Sequence, residues 1–169
     1  MGTSGASGVI LGIRLLEVLQ SRQVETHLVL SPAARATIAQ ETDWKISDVL
    51  ALANVSYDHR DIGAAIASGS FQTRGMVIIP CSIKSLSAVA NSYAEDLLAR
   101  AAAVTIKEGR TLLLVVRETP LHRGHLRLMD LAARAGAPRH GRVAGWIQRR
   151  RGEHHVHHYH PMDGEAKGA

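Results

Sequence analysis

The chain has one cysteine, Cys81, and one phenylalanine, Phe71, and aromatic residues make up only 4% of its 169 positions. A single thiol excludes an internal disulfide and fits a reducing compartment. No apolar run is long enough to span a bilayer. The opening Met1-Gly2-Thr3-Ser4-Gly5 has neither the basic n-region nor the apolar h-region of a signal peptide. A cytoplasmic location with no membrane partner is therefore expected. Charge of one sign is also scarce outside the carboxyl-terminal tail. Arg139, Arg142, Arg149, Arg150, Arg151 and Lys167 against Glu153, Asp163 and Glu165 put +3 of the formal +5 into residues 138–169, leaving +2 for the rest. The body has no basic stripe and no interleaved aromatics, so no nucleic-acid partner is expected.

Aliphatic residues are abundant. Hydrophobic residues make up 46% of the chain, dominated by Ala, Val, Leu and Ile, which suits helices packed on a parallel sheet better than a β-sandwich. Three runs with little polar alternation predict strands covered on both faces: Thr26–Leu30, Gly75–Pro80 and Thr111–Val116. Helical patterns lie between them. Gly8–Gln20 puts Ile10, Ile13, Leu16 and Leu19 near one face. Ser31-Pro32 supplies an N-cap and an N1 proline, and Ser47 is placed to cap Asp48–Ala53. Lys84–Ala103 reads as one long helix, and His122–Ala135 ends at Gly136, a candidate C′ residue. Alternating strands and helices predict βαβ units and an α/β fold with a parallel sheet.

Three stretches could carry chemistry. Gly2-Thr3-Ser4-Gly5-Ala6-Ser7-Gly8 precedes a helix, where glycines let backbone N–H groups approach an anion, and Ser4 and Ser7 can donate hydroxyl hydrogen bonds. The run lacks the Walker lysine and is not a clean dinucleotide fingerprint, so on its own it is more often an ordinary turn. Cys81-Ser82-Ile83-Lys84-Ser85 follows a buried strand, where open α/β sheets bind ligands; the alternative is an N-cap serine beside a solvated lysine. Cys81 reads as a small buried apolar residue rather than a nucleophile. Arg117-Glu118-Thr119-Pro120 follows the third run, read as a central strand. Arg117 can grip a phosphate and Glu118 can handle protons, unless the two form a surface ion pair. Ser31 is explained by capping alone, and Glu41, Arg100 and Lys107 read individually as solvated helix charges. His122 and His125 stand three apart with no third ligand, so no metal site is expected.

Taken together, Gly5-Ala6-Ser7-Gly8, Glu25-Thr26-His27-Leu28-Val29, Ser68-Gly69-Ser70-Phe71, Gly75–Lys84 and Arg117-Glu118-Thr119-Pro120-Leu121-His122 resemble, in order and spacing, the motifs of the UbiX flavin prenyltransferases (older name aromatic-acid decarboxylases). The likeness covers residues 2–137. It implies a flavodoxin-like, Rossmann-like three-layer sheet that binds FMN and assembles as a homo-oligomer, commonly a dodecamer. The implied reaction joins a dimethylallyl group from dimethylallyl phosphate to the flavin, without a metal. The product, prenylated FMN, serves UbiD-type decarboxylases in ubiquinone synthesis and aromatic-acid metabolism. By the same likeness Gly5, Ala6, Ser7, Ser31, Ser82, Ile83, Lys84, Ser85 and Arg117 hold FMN. Ser7, Glu41 and Glu118 handle protons, while Arg100, Lys107 and Arg117 surround the prenyl phosphate. Two neighbouring readings are an FMN-binding relative with impaired catalysis and an FMN-dependent Cys decarboxylase. The Arg-Glu-Thr-Pro-Leu-His and Cys-Ser-Ile-Lys runs have the prenyltransferase form.

The resemblance fails at both ends. The family has a strand before the glycine loop, so this chain is expected to lack its first strand. The family's Pro-rich segment with a Tyr and the following helix with an Arg have no counterpart after Ala137. The expected division is an FMN-binding domain at 1–137 and a divergent, disordered basic tail at 138–169. That tail holds His140, His154, His155, His157, His158 and His160, six of the ten histidines. Its Arg/His/Gly bias leads to the expectation that the tail is out-of-frame translation of a GC-rich gene and that Met1 marks an internal start.

Overall fold

A computed structural model describes residues 1–136, 146–150 and 153–157. The elements in chain order are β1 (Gly2–Thr3), α1 (Val9–Ser21), β2 (His27–Leu30), α2 (Pro32–Glu41), α3 (Ile46–Ala51), β3 (Val55–Tyr57), a 3₁₀ turn (Ala65–Ala67), β4 (Gly75–Cys81), α4 (Ile83–Ala90), α5 (Leu97–Lys107), β5 (Thr111–Val116) and α6 (Arg123–Ala135). β6 (Trp146–Arg150) and β7 (Glu153–His157) follow. The first five strands form one parallel sheet in the order β3-β2-β1-β4-β5.

Each sheet face is covered, which is why the strands read as continuous aliphatic runs. Along β2 the side chains alternate between two cores. Leu28 and Leu30 join Val9, Ile13, Leu16, Ile38 and Val49 beneath α1, α2 and α3. Val29 joins Ile78, Leu86, Leu97, Leu114 and Met129 beneath α4, α5 and α6. Strand order reverses at β1, whose two neighbours are reached by connections in opposite directions. The carboxyl ends of β1 and β4 therefore bound the crevice where sheets of this kind bind ligands.

Several expectations need correction. The first strand is present, as a two-residue β1 that pairs with both β2 and β4. The Val29 N–H also bonds the Met1 carbonyl at 3.0 Å. Two residues are too few for a hydrophobic period to register. The expected long helix over 84–103 is two helices: Ser92 has φ 54°, and Asp96 restarts the chain by accepting the Ala99 N–H at 2.8 Å. Alanine and leucine on both sides of the break hid it. Ser47 does not cap, because α3 begins one residue before it, after Lys45. Gly136 closes α6 with φ −83°, right-handed rather than left-handed. β5 lies at an edge of the five-stranded sheet, not at its centre. β3 went unread because it is three residues long and largely exposed.

Most of residues 138–169 lies outside the described residues. Within that stretch β6 and β7 pair as an antiparallel ladder, Trp146 opposite His157 through Arg150 opposite Glu153, where no regular structure was expected. Such a ladder is built from backbone groups and needs no apolar period to form.

Candidate active site

The site is assembled from three strand-to-helix junctions on the carboxyl edge of the sheet. After β1, Gly5 packs directly on α2, since a Cβ there would lie 2.3 Å from that of Ala33. Gly8 then turns the chain into α1 with φ 89°, a conformation that favours glycine. After β2, Ser31 caps α2 by accepting the Ala34 N–H at 3.1 Å, with Pro32 in the first turn. After β4, Ser82 caps α4 by accepting the Ser85 N–H at 3.3 Å. Three helix N-termini thus face one edge, presenting backbone N–H groups suited to an anionic ligand.

The motifs meet there. Arg117, just past β5, donates from Nε to the Ser7 carbonyl at 3.2 Å, and its backbone N–H bonds the Cys81 carbonyl at 3.0 Å. Glu41, the last residue of α2, accepts the Gly8 N–H at 2.8 Å, placing a carboxylate at the start of α1. Ser7, Gly8, Glu41 and Arg117 therefore form one cluster, with Ser82–Ser85 joined to the same loop through Ser4. Glu118 is exposed beside Arg117 and accepts the Thr119 N–H at 3.2 Å. Lys84 is exposed, whereas Ser82, Ile83 and Ser85 are half-buried.

Lys107 is not brought to this cluster within one chain. Lys107 ends α5 just before β5 and lies 3.0 Å from the Glu108 carboxylate. Arg117 follows the other end of β5. Six residues of strand, about 20 Å, separate the two edges. Arg100 is exposed on α5.

Three roles escaped the sequence reading, which saw Ser4 only as a loop hydroxyl and His122 only as one of a histidine pair. Ser4 is fully buried and bonded on both sides, to the Pro80 carbonyl at 3.0 Å and from the Ser82 N–H at 2.7 Å. No sequence signal pointed to this role, since the strand before the loop was not expected. His27 at the amino end of β2 bonds the Tyr57 hydroxyl through Nδ1 at 2.9 Å and Glu25 through Nε2 at 3.1 Å, with the Phe71 ring edge-on at 5.1 Å. That contact unites two of the sequence motifs. His122 caps α6, accepting the Gly124 N–H at 3.0 Å, and its ring lies 3.5 Å from that of His125, whose Nδ1 is buried and unpartnered. Cys81 is buried, and desolvation pushes its thiol up to about 12, so it is no nucleophile at neutral pH. Among the described residues no group of three or more His, Cys, Asp or Glu could hold a metal, and no helix is long and apolar enough to cross a membrane.

Residues 1–129 match the family described as Flavoprotein. The flavin prenyltransferase UbiX of Escherichia coli K12 is 61% identical over 138 residues, 81% of this chain and 73% of that protein. This chain belongs to the UbiX flavin prenyltransferase family. The UbiX fold is equally plain in solved structures. AnUbiX, crystallised with FMN and dimethylallyl pyrophosphate, superposes with a TM-score of 0.79 and 47% identity over 80% of this chain and 72% of that one. A dodecameric FMN-dependent UbiX-like decarboxylase of E. coli O157:H7 gives 0.78 and 48%, over 80% and 74%. The expected flavodoxin-like sheet, flavin cofactor class and prenyltransferase kinship are thereby borne out.

Proposed function

We propose that this chain is a flavin prenyltransferase that joins a dimethylallyl group to FMN at the carboxyl edge of its sheet, and that its donor is dimethylallyl monophosphate. The observation that carries the reading is the Arg117–Ser7 contact, which brings the third chemistry-bearing motif onto the first. The donor set fits FMN: three helix N-termini and the hydroxyls of Ser7, Ser31, Ser82 and Ser85 suit a phosphate and ring edge, and Arg117 adds a cation. Bound FMN supplies the ring atoms N5 and C6 that receive the prenyl group.

This chain's residues supply the rest. Gly5, Ala6, Ser7, Ser31 and Ser82–Ser85 bind and orient the flavin. Arg117 stabilises the phosphate that departs when the allylic C–O bond breaks. Glu118 takes up the proton released on ring closure, with Ser7 and Glu41 holding the neighbouring hydrogen bonds. Arg100 serves the prenyl phosphate as well, and Lys107, at the opposite end of β5 from Arg117, reaches it only across an interface between copies, in keeping with a homo-oligomer. Residues 1–137 form the FMN-binding unit, with 138–169 distinct from it. The protein works in the cytoplasm and hands prenylated FMN to a UbiD-type decarboxylase.

The test is a mass-spectrometric assay of purified protein with reduced FMN and either dimethylallyl monophosphate or the pyrophosphate. Prenylated FMN from the monophosphate is expected. Bound but unaltered FMN would overturn the activity and leave a flavin-binding protein. Product from the pyrophosphate alone would overturn the donor.

A further inference from the structure

We infer that Ser4, a residue that touches neither substrate nor flavin in the reading above, is the positioning residue that sets the glycine loop and the Ser82 turn in register. The inference rests on the FMN reading of that edge. In a regular parallel ladder the Ser82 N–H would find a main-chain carbonyl on β1. The Ser4 carbonyl instead accepts the Ala6 N–H at 2.9 Å as the chain turns into the glycine loop. Pro80, on the facing strand, has no N–H to offer. The regular main-chain ladder therefore ends where the two loops begin.

The Ser4 hydroxyl replaces the missing partner. It accepts the Ser82 N–H at 2.7 Å and donates to the Pro80 carbonyl at 3.0 Å, which also accepts the Ser4 N–H at 3.1 Å. The side chain is fully buried, so water cannot stand in for it. Fixing the Ser82 backbone fixes its hydroxyl, which accepts the Ser85 N–H and donates to the Ser85 hydroxyl, both at 3.3 Å. Ser4 thereby orients the α4 N-terminus relative to Gly5–Gly8 through one hydroxyl.

The experiment compares Ser4→Ala, Ser4→Thr and Ser4→Val in the full chain stripped of flavin, titrating FMN by fluorescence quenching and recording the visible circular dichroism of the bound flavin. Thr and Val share a shape and differ by the hydroxyl, so they decide the matter even if Ser4→Ala does not fold. Thr is expected to keep FMN affinity within about threefold and the native dichroic band. Val is expected to lose affinity at least tenfold and alter the band. Val49→Ala in α3, outside both loops, serves as a matched destabiliser: it should lower Tm and leave flavin affinity within about twofold. Equal affinities and spectra for Thr and Val overturn the positioning role. Loss of affinity in Val49→Ala equal to that in Ser4→Val overturns it too, reducing Ser4 to a stability residue. If the unaltered chain fails to bind FMN, the flavin reading itself falls and takes the proposal with it.

Discussion

Two polar junctions hold the site together, and they are built in opposite ways. The Ser4–Pro80–Ser82 junction is buried and neutral, with donor and acceptor both satisfied. The Gly8–Glu41 and Ser7–Arg117 junction uses charged side chains at the surface. A buried polar group is costly to leave unpaired, whereas a surface charge is screened and contributes little to stability. The first junction is thus suited to fixing geometry, and the second to holding charge near the surface. Perturbing the surface junction should change chemistry and spare the fold. Perturbing the packed side of the loop should cost stability.

The largest expected effect is kinetic. Glu118→Gln should slow prenylated-FMN formation roughly a hundredfold or more while leaving the urea midpoint and FMN affinity unchanged. Full turnover in this variant would reduce Glu118 to a surface carboxylate. Next comes an effect of pH on the amino end of β1. Burial lowers the Met1 amine from its ordinary 8.0 to about 6. The unfolded chain binds that proton more readily, so stability is complete above about pH 8 and falls as pH drops toward 6. The loss should be about 2 to 3 kcal/mol, read from urea unfolding. Acetylating the amine should flatten this dependence. If the slope survives acetylation, it comes from another group.

On the packed side, Gly5→Val should cost about 1 to 3 kcal/mol by driving a side chain into Ala33. Chemical denaturation reads this directly, and an unchanged midpoint would mean that α2 gives way freely. Arg117→Lys keeps the charge but loses the planar guanidinium. FMN or prenyl-phosphate affinity should weaken about tenfold, roughly 1.4 kcal/mol, with the melting temperature unmoved. A drop in melting temperature without a change in affinity would assign Arg117 to structure. The smallest effect belongs to Glu17→Gln, which removes an exposed pair with Arg14. It should change stability by no more than about 0.5 kcal/mol and activity not at all, giving the baseline for the other variants.

What the sequence revealed followed the length and burial of each element. β2, β4 and β5 were legible because buried parallel strands are unbroken aliphatic runs. Ser31-Pro32 was legible because capping chemistry is local. β1 and β3 were not, being two and three residues long. The helix break at Ser92 lay inside alanine-rich sequence with high helix propensity on both sides. At the site, the motifs around Ser7, Ser82 and Arg117 stood out. The carboxylate of Glu41 entered only by resemblance, because its contact with Gly8 spans 33 positions. Ser4 passed unnoticed as anything more than a loop hydroxyl, since its role depends on Pro80 and Ser82, which folding alone brings near.

The sealed thiol of Cys81 gives this chain a built-in clock. A thiol reagent has one target, and that target lies in β4 with its sulfur shut away from solvent and held protonated. Modification therefore waits for β4 to open, so the labelling rate counts openings of the sheet's interior. Followed with and without FMN, that rate would show whether flavin quiets the whole sheet or only its carboxyl edge, with no probe engineered into the protein.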